Sequence, residues 1–238
     1  MFYIDPYYLI LVVPTLLFAM YAQYRVKSTY HRYSQVSCRM GYTGAQAAGA
    51  ILRSAGILDV GIEHVAGQLS DHYDPRKKVL RLSDGVYGSS SIAALGVAAH
   101  EVGHAIQHQE GYFPLKLRNA IIPITQIGST LSMPLILLGI LFGGVRGNTD
   151  FGYFFIQIGI LLFGVAVVFQ LITLPVEFNA SRRALAILGE TNLLLEDEVP
   201  QARRVLSAAA LTYVAAAATA LASLLRLLLI FGRRNSND

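Results

Sequence analysis

The chain has 238 residues, 54% of them hydrophobic and only 14% charged, with a net charge of +4 and a single cysteine. Soluble domains average about 25% charged residues, so this surface is too apolar to meet water everywhere. That balance sets aside disorder, a disulfide scaffold, a fibrous repeat and an ordinary soluble enzyme. The dispersed positive charge, without a basic run interleaved with aromatics, also argues against a nucleic-acid partner.

Four charge-free runs, 6–24, 119–145, 151–176 and 205–225, hold 19, 27, 26 and 21 residues. Each is near or above the roughly 20 residues that cross the hydrocarbon layer as a helix. The first run follows Met1 to Asp5, which contain no lysine or arginine, and no small-x-small cleavage site is clear. It reads as a retained anchor rather than a signal peptide. After it come Arg25, Lys27, Arg32 and Arg39, and Cys38, whose isolation rules out an internal disulfide and fits a reducing compartment.

The polar stretch 25–118 continues with "HYDPRKKVLRLSDGVY", which reads as a β-hairpin: Asp74-Pro75 turn chemistry, then β-type residues Val79 to Leu82. Residues 89–109, "SSIAALGVAAHEVGHAIQHQE", read as a helix with serine caps at its start and Gly111 as its stop. Four residues separate His100 from His104, so they lie about 40° apart and one turn along, and both imidazoles can face one ion. Glu101 lies about 100° round, where it can act as a base toward a water at the metal. Five-residue motifs with three fixed positions do arise by chance. In an alanine-rich, core-like helix, however, two histidines and a glutamate without a ligand would be costly to bury.

A third ligand is needed for an open zinc site. The extended H-E-x-x-H-x-x-G-x-x-H pattern fails, because Gln107 occupies its glycine position and Glu110 its last one. Without the helix break, Glu110 sits about 240° from His104 and faces away. His108 is four residues beyond His104, but three ligands over two turns spread too far along the axis for one ion. It reads as a group that steadies a ligand from behind or as a plain polar contact.

Lys116 and Arg118 precede the second run, and the third is followed by "LPVEFNASRRALAIL", with helical apolar spacing and a proline just ahead of its start. Two runs separate His104 from Glu177. An even number of crossings returns the chain to the side it left, so Glu177 can complete the set; its competing role is a first-turn glutamate that complements a helix dipole. Arg182, Arg183, Arg203 and Arg204 add to the basic residues on this side, against Arg146 alone in the 145–150 connection. The positive-inside rule therefore puts 25–118 and 177–204 in the cytoplasm. The last run is alanine-rich and interrupted by Arg226, and Arg233 and Arg234 would fall outside, against the rule. A buried or interfacial helix competes there with a span over 205–231.

"AAHEVGHAIQH", a two-span hairpin and "EFNASRRAL" together resemble the membrane-embedded gluzincin metallopeptidases, the HtpX-like and CAAX prenyl protease relatives. "YHRYSQVSCRMGYTGAQAA", "LSDHYDPRKKVLRLSDGVYGSSSIAALGVAAHEVGHAIQH" and "PLKLRN" more closely resemble the bacterial YugP-type zinc metallopeptidases. The resemblance implies one Zn2+ per chain on His100, His104 and Glu177, with Glu101 as general base. Those relatives often carry E-x-x-A-D, whose aspartate orients a zinc-binding histidine. Here Ser181 stands in that place, a neutral partner that makes the histidine less basic, and Asn179 is the other candidate for part of the role.

Such peptidases hold substrate by adding its backbone to a sheet edge, and residues 78–83, with Val79, Leu80, Arg81 and Leu82, are the expected edge strand; a strand that merely covers the motif helix is the alternative. Arg182, Arg183, Arg203, Arg204, Tyr213 and His72 are candidates for stabilising the oxyanion. His31 and His64 read as surface or packing residues.

The expectation is an α-rich integral membrane protein of the α+β class. It has about four transmembrane helices and a small cytoplasmic gluzincin-like domain with a short β-hairpin. Its expected function is zinc-dependent cleavage of membrane or membrane-proximal proteins at a bacterial inner membrane. A metal-binding membrane adaptor or chaperone and a zinc amidase acting on a non-protein amide are the rivals. Intact Glu101 speaks against the adaptor, since a pure binding site has no use for a carboxylate that is not a ligand.

Overall fold

The computed structural model describes residues 5–143 and 150–232. Arg146, Arg233, Arg234 and Met1 to Ile4, all used in the charge comparison, lie outside them. A π-helical turn, Tyr8–Val12, runs into α1 (Val13–Ser34); then follow α2 (Gly44–Ser54), β1 (Gly61–Val65), β2 (His72–Asp74), β3 (Val79–Ser83) and α3 (Asp84–Tyr87). The remaining elements are helices: α4 (Ile92–Gln109), α5 (Phe113–Leu141), α6 (Asp150–Glu190) and α7 (Val199–Phe231).

Four helices, Tyr8–Ser34, Phe113–Leu141, Asp150–Glu190 and Val199–Phe231, are long and apolar enough to cross a membrane. Many of their large apolar side chains, Ile127, Leu137 and Leu161 among them, are exposed. Large apolar side chains exposed in such number along long helices are what a lipid-facing surface shows. Among the described residues the molecule is helix-rich, with one small sheet.

Two compact units are present. One comprises Met1–Tyr21, Leu117–Leu174 and Tyr213–Asp238; the other comprises Ala22–Lys116 and Pro175–Thr212. In the first, α5 and α6 approach closely at glycines. A Cβ on Gly128 would lie 3.1 Å from the Leu162 carbonyl oxygen, and one on Gly159 would lie 2.7 Å from that of Ser132. Small residues are what allow apolar helices to pack backbone to backbone. Arg226 does not stand alone in its apolar run: its guanidinium binds Asp5 Oδ2 at 2.6 and 3.0 Å and lies over the Tyr8 ring.

The second unit is built on a core of Leu80 and Leu82 from β3, Ile51 and Leu52 from α2, Ile92, Leu95 and Val102 from α4, and Leu188 and Leu194. Its α2 begins with a capping box, in which Thr43 Oγ1 accepts from Gln46 N while Gln46 Oε1 accepts from Thr43 N. Asp74 forms the hairpin turn as read, accepting from the backbone N–H groups of Arg76 and Lys77 at 3.0 and 3.1 Å.

The sheet order is β1-β3-β2, with β3 parallel to β1 and antiparallel to β2. This corrects the expectation of an edge strand at 78–83. The backbone of Val79, Leu80 and Arg81 is flanked by a strand on both sides, and Leu82 pairs with His64 of β1, so 78–83 is not the edge of the sheet. The difference comes from β1, "GIEHV", which is too short and too polar to read as a strand from its sequence. Likewise, Pro175 does not precede a new helix: it lies inside continuous α6, so Glu177 is not a first-turn residue.

Candidate metal centre

The site belongs to the second unit and starts from α4. Ser91 caps this helix, accepting from Ala94 N at 3.1 Å, and the Gly111 backbone, at φ +67°, closes its other end. Apart from its last turn the helix is almost wholly buried, which carries His100 and His104 into the interior one turn apart. Gly103, between them, faces α6; a Cβ there would lie 2.7 Å from the Ala180 carbonyl oxygen. That close approach brings Glu177, only 4% exposed, up to the two rings.

His100 Nε2 lies 3.2 Å and His104 Nε2 3.6 Å from Glu177 Oε2. The rings stand edge to face with centroids 4.8 Å apart, and one donor atom from each of the three residues lies within 4.8 Å of the others. Zinc bonds of about 2.0–2.1 Å in tetrahedral geometry set donors about 3.3–3.4 Å apart. The two observed separations to the carboxylate bracket that value, and two imidazoles with one carboxylate form a donor set that zinc accepts. These residues could hold a metal ion.

The outward nitrogens are also engaged. His100 Nδ1 is 3.0 Å from Ser181 Oγ, and His104 Nδ1 is 3.0 Å from Gln107 Oε1. Gln107, fully buried, was not singled out in the sequence; its one signal is its place three residues after His104, on the same face of the helix. Its Nε2 donates to the Val176 carbonyl at 2.8 Å and to Asn179 Oδ1 at 2.9 Å. Asn179 thus touches Gln107 and Arg183, not a histidine of the trio.

Glu101 is half-buried, and its carboxylate makes no hydrogen bond or ion pair to another of the described residues. His108 turns to β2, where its Nδ1 and the Tyr73 hydroxyl share a hydrogen bond at 2.9 Å; burial pushes the Tyr73 phenol up. His108 is therefore a polar contact between helix and sheet.

Among the oxyanion candidates, Arg183 is held by Asn179 and Glu110, Arg204 by Tyr33 and His72 by Arg81 and the Ser70 carbonyl. Arg182 and Arg203 are exposed, and Tyr213 belongs to the other unit. His31 is exposed, and His64 pairs with Asp84 at 2.6 Å on the surface. Glu110, which the helical spacing turns away from the trio, pairs with Arg183 at 2.6 Å; that guanidinium holds its carboxyl below the usual value.

Residues 8–232 match a family model described as "Putative neutral zinc metallopeptidase". The chain is also similar to the "Putative membrane protease YugP" of Bacillus subtilis (strain 168). The two are 47% identical over 224 residues, covering 94% of this chain and 96% of the relative. No solved structure matches the chain.

Proposed function

This chain belongs to the YugP-type family of zinc metallopeptidases, and on that footing we propose that it is a membrane endopeptidase that hydrolyses peptide bonds of membrane or membrane-proximal proteins. The observation that carries the proposal is the convergence of His100, His104 and Glu177, from two helices, onto one point large enough for a single ion. Three protein ligands leave a tetrahedral ion one position open, which is the arrangement of catalytic rather than structural zinc. Zinc held there would supply a Lewis acid that polarises a carbonyl and brings the pKa of water toward about 7.

The chain's own residues do the rest. Glu101, next to His100 and free of partners among the described residues, accepts the proton of the attacking water and returns it to the leaving amine. Ser181 and Gln107 hold the two imidazoles from behind. A substrate strand needs a sheet edge, and β2 is the edge that meets α4, through Tyr73 and His108.

The whole chain would act as one membrane-embedded domain with spans at about 6–24, 119–145, 151–176 and 205–231. The ten basic residues flanking 25–118 and 177–204 favour the cytoplasmic side of a bacterial inner membrane for the site.

The test is zinc content and casein cleavage for detergent-purified wild type and Glu101→Gln side by side. One zinc per chain in both, with cleavage by wild type alone, is the expected result. Zinc in both with cleavage by neither favours the adaptor, and absence of zinc from both overturns the reading.

A further inference from the structure

Behind His104 runs a chain of hydrogen bonds whose direction is fixed at both ends. The Arg183 guanidinium can only donate. Its Nε donates to Asn179 Oδ1 at 2.8 Å, and its two terminal nitrogens donate to Glu110 at 2.8 and 2.6 Å. The Val176 carbonyl can only accept, and it does so from Gln107 Nε2 at 2.8 Å. Asn179 Oδ1, already facing Arg183, takes the second proton of Gln107 Nε2 at 2.9 Å. The amide of Gln107 then has one arrangement left: its Oε1 faces His104 Nδ1 at 3.0 Å.

We infer that Gln107 is a positioning residue that fixes the tautomer of His104, and that Arg183 fixes the orientation of Gln107 through Asn179. An amide oxygen accepts only, so His104 Nδ1 carries the proton, which leaves Nε2, 3.6 Å from Glu177, as the nitrogen that a metal would take. The reversed amide would set its oxygen against two other acceptors, the Val176 carbonyl and Asn179 Oδ1. Gln107 is fully buried, so no solvent compensates for that loss. Zinc-binding histidines are commonly oriented by a carboxylate or a backbone carbonyl; here a buried neutral amide serves, itself oriented from a surface ion pair two side chains away.

The inference rests on the metallopeptidase reading for its purpose but not for its test. Ring-nitrogen chemical shifts of histidine can be recorded on the zinc-free, full-length protein in detergent. Wild type is expected to show His104 protonated at Nδ1. Gln107→Met should give a mixture of tautomers and a zinc affinity, by chelator competition, about 10–100-fold weaker. Arg183→Met, altered at a side chain that is 25% exposed, should also mix the tautomers with a smaller loss of affinity.

A single Nδ1–H tautomer with wild-type zinc affinity in Gln107→Met overturns the role of Gln107. If that variant does not fold, an unchanged tautomer in Arg183→Met overturns the relay. Wild type that binds no zinc yet shows the Nδ1–H tautomer refutes the metallopeptidase reading and leaves this one standing.

Discussion

Gly103 of α4 and Ala180 of α6 meet backbone to backbone: a methyl group at position 103 would lie 2.7 Å from the Ala180 carbonyl oxygen and 3.2 Å from its Cα. The contact sits between His100 and His104 on one side and three residues beyond Glu177 on the other. Gly103→Ala gains about 1 kcal/mol of helix propensity, while overpacking against rigid backbone costs about 1–3 kcal/mol. Relief requires α6 to move, and Glu177 moves with it. The expected outcome is a lower unfolding midpoint in detergent and zinc affinity weakened at least several-fold. Wild-type values for both would refute the idea that this glycine sets the spacing of the donors.

Ser181 Oγ lies 3.0 Å from His100 Nδ1. A neutral hydroxyl leaves the imidazole less basic than a carboxylate would. Ser181→Asp is therefore expected to tighten zinc binding, and Ser181→Ala to weaken it about 10-fold. Chelator competition measures both, and an order of affinity other than Asp, Ser, Ala counts against the argument.

The histidine pair was legible in the sequence because its geometry is local: four residues on a helix place two side chains on one face, whatever lies elsewhere. Glu177 was reached by counting hydrophobic crossings, which uses only run length. Features that depend on distant partners were not legible. The interior place of β3 depends on β1, which pairs with it directly in parallel although β2 lies between them in the sequence, and which carries little β signal. The role of Gln107 depends on Val176 and Asn179, some seventy residues away. Continuity of α6 through Pro175 was hidden because a proline is a local stop signal, overridden here where apolar residues continue on both sides.

Asp5 neutralises Arg226 within the first unit, where Thr219 also donates to the Thr15 carbonyl at 3.3 Å. The pair is partly exposed, at 30% for Arg226 and 21% for Asp5. Removing one partner should cost about 1–3 kcal/mol, less than for a fully buried pair. Asp5→Leu is expected to lower the unfolding midpoint in bicelles, and Asp5→Leu with Arg226→Leu to restore most of it. A double variant no more stable than the single one would show that the stability lies in each residue's packing and not in the pair.

Glu110 reports on the outer end of the hydrogen-bonded chain that leads to His104. Arg183 lowers its carboxyl below the ordinary value of 4.5. A depressed folded-state value means that the contribution of the pair to stability is fully present above about pH 4.5. It is lost as pH falls through the lower, folded value. Both partners are partly solvated, so the contribution is under about 1 kcal/mol. Thermal unfolding followed from pH 7 down to pH 3 should show a loss in wild type that is smaller in Glu110→Gln. Parallel acid profiles for the two proteins would place the acid sensitivity in other carboxylates, with Asp84 next in line because the Gly67 N–H and then His64 hold its carboxyl below the usual range.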